Sequence, residues 1–414
     1  MFQPGSTTRL PRLGFAGLLG PAFVAAVAYV DPGNFAANFS AGADHGYALL
    51  WVLVLVNLMA CCVQYLAAKV GFVTGRSLSE LVAEHLPGRR LRGLRLAYWA
   101  QATGVVIATD IAEVIGGAVG LYLLFGVPLV AGGVITGLGS LALLAVHSRW
   151  GQKSFERVIL GLLLLIPMGF FAGLVARPPA GGEVVAGLVP RLTSSEQLYL
   201  AVAMMGATVM PHVIYLHTTL SRDRHGRALD VEVPRLVRAT RVDVGLAMAL
   251  AGSINISMLV LSATAMRHHP RAGDFVGIHD GLAASIGGWV ATLFAAGLLI
   301  SGLASTAVGG QAGSSVMDGL VSRDLSVAWR RLIVIVPAVV LLALVPDVTG
   351  LLVLSQAVLS FGIPFALLPL VWFGSRRQVM GRWVISRWFA VLMWGLGVLI
   401  VVVCLALVAA SAVG

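Results

Sequence analysis

Apolar residues in this chain come in runs far longer than the core of a soluble domain requires. Roughly 20 consecutive apolar residues match the hydrocarbon thickness of a bilayer. Counted this way, the sequence predicts eleven spans: 14–43, 48–73, 96–125, 127–147, 156–176, 196–220, 242–266, 286–310, 329–346, 350–374 and 387–411. The expected fold class is therefore an all-α polytopic membrane protein. Two spans carry sequences that cannot stay helical. Between Gly14 and Ala43 the only charge is Asp31, and it opens Asp31-Pro32-Gly33-Asn34. The sixth span contains Ala207-Thr208-Val209-Met210-Pro211-His212. Proline lacks an N–H and clashes with the preceding turn, and glycine lowers the cost of non-helical dihedrals.

The pattern repeats. Five spans run to about residue 176 and five more run from about 196 to 374, and both sets open with a broken span. Five is odd, so the second set enters the membrane from the opposite side. Paired interrupted segments at matching places in two halves point to a transporter binding site. The expected organisation is a cytoplasmic segment 1–13, a ten-helix core 14–374 built from repeats of about 14–176 and 196–374, and an eleventh helix with the C-terminus at 387–414. Pro178-Pro179 and Gly181-Gly182 mark the loop between the halves.

Composition supports this reading: 58% of residues are hydrophobic and 11% charged, against about a quarter charged in soluble domains. The net charge of +10 raises the question of nucleic acid, and its distribution answers it. With the N-terminus in the cytoplasm, only Arg177, Arg191, Arg267 and Arg271 of the 28 Lys and Arg residues fall outside, which leaves 24 inside. That is the positive-inside bias of a membrane protein, and no nucleic-acid partner is expected. An odd number of spans puts the C-terminus outside. The first apolar stretch is too long for a cleaved signal and contains an acid and a Pro-Gly. Arginine outnumbers lysine 26 to 2, a hint of a GC-rich bacterial genome and hence of a bacterial plasma membrane. Cys61, Cys62 and Cys404 lie in apolar runs without metal-site spacing and read as inert thiols.

A charge at membrane depth is a functional-site hypothesis by default, and unwound backbone there is tolerated only where protein buries it or a polar cavity receives it. Asp31 supplies a carboxylate and Asn34 a neutral oxygen. Pro211 frees the carbonyl of Ala207 four residues earlier, and Met210 adds a thioether. Hard cations favour all-oxygen sites, whereas sulfur favours softer transition metals. The set points to a divalent cation such as Mn²⁺ or Fe²⁺, with Cd²⁺ as a surrogate. Gln356 in the tenth span is a candidate transient ligand or gate. Asp110 and Glu113 share one face of the third span, with Arg330 and Arg331 at the start of the ninth as partners. This suggests a proton route, against the simpler reading of the arginines as positive-inside flanks. His212 and His217 do not share a helix face. His212 either lines the inward path and tunes pH dependence or is a hydrogen-bonded structural residue. Asn57 and Asn255 read as helix–helix hydrogen bonds, and Pro364 as a kink in the tenth span.

Asp-Pro-Gly-Asn in the first span and Met-Pro-His in the sixth resemble the Nramp family of proton-coupled divalent metal transporters. The likeness extends to Ala108-Thr109-Asp110-Ile111-Ala112-Glu113, Ser355-Gln356 and Pro364-Phe365, and covers nearly the whole chain. It implies an inverted-repeat amino-acid-transporter (LeuT-like) fold and metal–proton symport. Relatives that carry Mg²⁺ or Al³⁺ look different at the sixth-span methionine, so Met210 favours the Mn²⁺/Fe²⁺ branch. The metal and the proton are then substrates, no cofactor is expected, and the bilayer and a monomeric state complete the picture. An organic-solute carrier of the same fold has no special need for Asp plus Met, and a channel needs a continuous polar pore. An enzyme needs a motif such as His-Glu-x-x-His or a nucleophile elbow, and none appears among the spans.

Overall fold

At Pro21, Pro32, Pro167 and Pro211, where a proline removes the N–H that a helical turn needs, this chain starts a new helix. The computed structural model describes residues 20–86, 91–266, 274–320 and 327–413, and for 144–148, 150, 152, 153, 155, 318–320, 327, 328, 330 and 413 the backbone alone. The expected segment 1–13 lies outside the described residues. In chain order, α1 (Pro21–Ala28) and α2 (Pro32–His45) form the broken first span, α3 (Leu50–Thr74) the second, and α4 (Leu78–His85) a short connector. The third is α5 (Arg92–Phe125), the fourth α6 (Leu129–Trp150), and the fifth α7 (Gln152–Leu165) with α8 (Pro167–Ala176). After α9 (Gly181–Ala186), α10 (Ser195–Thr208) and α11 (Pro211–His225) form the broken sixth span. Then follow α12 (Val233–Ala265), the connector α13 (Phe275–Ser285), α14 (Gly288–Leu320) and α15 (Val327–Leu344). The tenth span is α16 (Val348–Ser360) with α17 (Ile363–Gly374), and after the short α18 (Arg377–Met380) the eleventh is α19 (Arg387–Val413).

Among the described residues, eight helical segments are long and apolar enough to cross a membrane, and Leu129–Leu143 and Arg331–Leu344 are shorter apolar helices. A helix or helix pair stands at each of the eleven expected places. Two boundaries differ most from the hydropathy reading. The seventh span begins at Val233 rather than 242 and the eighth reaches Leu320 rather than 310. Backbone hydrogen bonding continues a helix past the point where its side chains stop being apolar. Pro364 does more than kink the tenth span. Helix α16 ends at Ser360, and Pro364 lies in the first turn of α17 after a turn at Phe361–Gly362.

Packing follows the inverted repeat. Helix α2 lies on α12 while its counterpart α11 lies on α3. Likewise α1 lies on α7 and α10 on α16, and the third and eighth spans, α5 and α14, pack along each other. Phe35 and Phe39 of α2 meet Phe170 of α8 and Phe294 of α14, with Phe35–Phe170 centroids 5.4 Å apart and Phe39–Phe294 5.0 Å. This aromatic cluster fixes α2 against its neighbours. At the other end of the first span, Asp243 of α12 accepts the Gly20 and Ala22 N–H groups at 2.9 and 3.1 Å, which caps the start of α1. Helix α19 packs on α17 and α10. Its outer face exposes Trp388, Val391 and Leu405, an apolar stripe suited to hydrocarbon.

Candidate metal centre

The two breaks meet inside the bundle, joined by one side-chain amide. Asp31 is the N-cap of α2. Its Oδ1 accepts both the Asn34 N–H at 2.8 Å and the Asn34 Nδ2 group at 2.7 Å. Its Oδ2 has no hydrogen-bond partner among the described residues, although the residue is fully buried. A buried polar atom without a partner is costly, and such an atom calls for a functional account. The same Asn34 Nδ2 donates across to the Ala207 carbonyl at 2.8 Å. Pro211 has taken away that carbonyl's helical donor. Thr208 Oγ1 donates to Asn34 Oδ1 at 3.3 Å. The amide NH₂ thus stands between a carboxylate and a carbonyl that lacks its helical donor, where positive charge is wanted. Half a turn of the amide would present an oxygen there instead, next to the same two acceptors.

Met210 is the N-cap of α11, in an extended conformation and buried. Gln356 of α16 is buried with Oε1 unpartnered among the described residues. It is wedged between the halves: a methyl group on Gly33 would overlap its side chain, and one on Gly206 would overlap its backbone carbonyl. Asp31, Asn34, Ala207 and Gln356 therefore come together, with Met210 at the start of the helix that follows Ala207. No group of three or more His, Cys, Asp or Glu is arranged to hold a metal among the described residues. Any cation site here has to be built from mixed donors.

Asp110 and Glu113 lie on α5 facing α14. Asp110 Oδ2 is 3.6 Å from Arg331 Nη1, and Arg331 Nη2 donates to the Thr306 carbonyl at 2.8 Å. Asp110 Oδ1 and both Glu113 oxygens lack hydrogen-bond partners among the described residues. The two carboxyl groups converge on Gly309, where a methyl group would overlap Asp110 Oδ1 and crowd Glu113 Oε2. One turn beyond Glu113, Gly116 lies against the Pro32 ring. Along α5 the acids thus run from the Arg331 pair towards the first break. The side chain of Arg330 lies outside the described residues.

His212 is buried, and neither ring nitrogen has a partner among the described residues. The partnered histidine is His217, whose Nδ1 lies 2.7 Å from Gln64 Oε1, while Gln64 Nε2 donates to Tyr29 OH at 2.5 Å. Asn57 and Asn255 do bridge helices. Asn57 Nδ2 donates to the Met248 carbonyl at 3.2 Å and Asn255 Nδ2 to the Tyr29 carbonyl at 2.8 Å. Sequence reasoning gave no role to Gly309, Gln64, Tyr29 or Thr208. It also did not apply the proline rule twice: Pro32 deprives Ala28 of its helical donor just as Pro211 deprives Ala207.

Comparison with known proteins finds likenesses along nearly the whole chain. Residues 22–410 match the family model described as natural resistance-associated macrophage protein-like, Nramp. A divalent metal cation transporter, MntH, of Mycobacterium tuberculosis is 53% identical over 366 residues, 88% of this chain and 84% of that protein. The MntH divalent metal cation transporter of Bacillus subtilis is 42% identical, with 94% and 91% covered. A crystal structure of the Eremococcus coleocola manganese transporter bound to an aromatic bis-isothiourea compound superposes with a TM-score of 0.84 at 29% identity, covering 97% of this chain and 88% of that one. The structure of MhsT with L-phenylalanine shares the fold, with a TM-score of 0.65 at 15% identity and coverage of 98% and 100%.

Proposed function

The chain belongs to the Nramp family, and we propose that it is a secondary transporter importing Mn²⁺ and Fe²⁺, with Cd²⁺ as a surrogate, together with protons. The observation that carries this reading is the unpartnered Asp31 Oδ2, buried beside an amide that bridges to the Ala207 carbonyl across two helix breaks. A cation seated there receives charge from Asp31, oxygen from Asn34 and Ala207, and sulfur from Met210. Gln356 closes the site from α16 as a transient ligand. The mixture of one carboxylate, neutral oxygens and a thioether suits a borderline-soft divalent ion over Mg²⁺ or Ca²⁺.

Asp31 holds a proton when no cation is present, and cation binding displaces it. Glu113 and Asp110 receive it along α5, and Arg331, with Arg330 beside it in sequence, stabilises the charge left behind. His212 lines the inward path. The protein works as a monomer in the bacterial plasma membrane, N-terminus inside and C-terminus outside, as the 24 cytoplasmic basic residues among 28 favour. The two halves move relative to one another and expose the site to each side in turn. An inside-negative potential contributes about 2.3 kcal/mol per charge per 100 mV, so about twice that for a divalent ion. Import is the natural direction.

Uptake into proteoliposomes tests the proposal. The native protein should accumulate Mn²⁺ faster with an inward proton gradient and acidify the lumen as it does so. Asp31→Asn should abolish both fluxes. Mn²⁺ uptake by Asp31→Asn at the native rate would overturn the assignment of the site.

A further inference from the structure

The first break holds more carbonyl groups than the proposed site uses, and two of them are already engaged. Asn255 of α12 donates to the Tyr29 carbonyl at 2.8 Å, and Ser301 of α14 donates its hydroxyl to the Val30 carbonyl at 2.5 Å. Val30 directly precedes Asp31, so the Val30 carbonyl belongs to the peptide unit that carries the Asp31 N–H. Rotation of that one peptide would turn a hard oxygen towards a cation held by the Asp31 carboxylate. Ser301 opposes the rotation. It is fully buried, and α14 is held close: a methyl group on the next residue, Gly302, would come within 2.6 Å of the Gly117 backbone nitrogen of α5. The hydroxyl therefore cannot easily be withdrawn from the carbonyl by moving its helix.

The number of oxygen donors decides which cations a site accepts. Ca²⁺ requires six to eight oxygens, and a site that offers few oxygens and one sulfur cannot replace its hydration shell. We propose that Ser301 is a specificity-determining positioning residue: by engaging the Val30 carbonyl it keeps the site poor in oxygen and so excludes Ca²⁺. The inference rests on the metal-transport reading above, and it assigns the exclusion of hard cations to a residue that does not touch the ion. Removing the hydroxyl leaves a buried carbonyl without a donor, a costly state, which the carbonyl relieves by turning to the bound cation.

The test is uptake of Mn²⁺ and Ca²⁺, separately and in competition, into proteoliposomes containing the native protein, Ser301→Ala or Ser301→Thr. The native protein should take up Mn²⁺ in excess over Ca²⁺. Ser301→Ala should lower the Mn²⁺/Ca²⁺ preference by about tenfold, equivalent to about 1.4 kcal/mol, with Ca²⁺ uptake rising in absolute rate. Ser301→Thr, which keeps a hydroxyl, should restore the native preference. Parallel loss of both uptakes in Ser301→Ala, with Ser301→Thr active, would reduce Ser301 to a structural role and overturn the proposal. So would an unchanged ratio in an active Ser301→Ala. If Ser301→Ala fails to fold, an altered ratio in Ser301→Cys, a weaker donor, supports the proposal and a native ratio overturns it. A native protein that moves neither ion would instead overturn the metal-transport reading itself.

Discussion

Arg331 lies 3.6 Å from Asp110 with both side chains buried, and the same guanidinium donates to the Thr306 carbonyl. One cation thus links the ninth span to the third and the eighth. Removing one partner of a buried ion pair leaves an uncompensated charge and costs about 3–5 kcal/mol. Arg331→Ala is expected to lose stability of that order, read as a lower unfolding midpoint in detergent. Arg331→Lys should recover only part of it, because an ammonium does not reproduce the planar fork that reaches two acceptors.

Glu113 sits between that pair and the first break. Glu113→Gln keeps the shape and removes the exchangeable charge. Proton influx during Mn²⁺ uptake should fall several-fold while Mn²⁺ affinity changes little. Paired measurement of lumenal pH and of equilibrium Mn²⁺ binding separates the two, and equal loss of both would count against the route.

Gly309 makes room for both carboxyl groups. Gly309→Ala adds a methyl group that overlaps Asp110 Oδ1, so one acid must move. Overpacking of this kind costs about 1–3 kcal/mol. The expected result is a lower unfolding midpoint together with weakened proton coupling, whereas Gly288→Ala, which meets no neighbour, should leave both unchanged.

Met210→Ala removes the sulfur and keeps the backbone. Mn²⁺ and Cd²⁺ uptake should drop relative to Mg²⁺ and Ca²⁺, with Cd²⁺, the softest, losing most. Competition uptake in liposomes reads the change, and unchanged selectivity would remove Met210 from the site.

Tyr98 supports a third proline-freed carbonyl. Pro369 lies inside α17 and deprives Phe365 of its helical donor; Tyr98 OH donates to that carbonyl at 2.6 Å and lies 2.5 Å from Tyr215 OH. With its proton given to Phe365, Tyr98 accepts from Tyr215. Tyr98→Phe should cost about 1–3 kcal/mol for the unsatisfied groups, measured by thermal unfolding.

What was legible in the sequence was whatever changes the chain's own local chemistry. Pro32 and Pro211 announce the breaks because a missing N–H acts on the residue four positions back, and Asp31 stands out because a membrane penalises charge. Asp110 and Glu113 could be paired by helical spacing alone. Gly309, Ser301 and Tyr98 carry no such mark. Each matters through a group on another helix, and neither hydropathy nor spacing says which helix that is. The tenth-span turn at Phe361–Gly362 was hidden for a related reason. It is apolar throughout, so nothing interrupts the hydropathy signal.

The Gln356 side chain lies against Gly33 and its backbone carbonyl against Gly206, so one residue of the tenth span leans on both broken helices. The tenth span is thus seated on the first and the sixth at once, at the level of their breaks. A side chain added at either glycine would strike that same residue, so the two breaks share one stop.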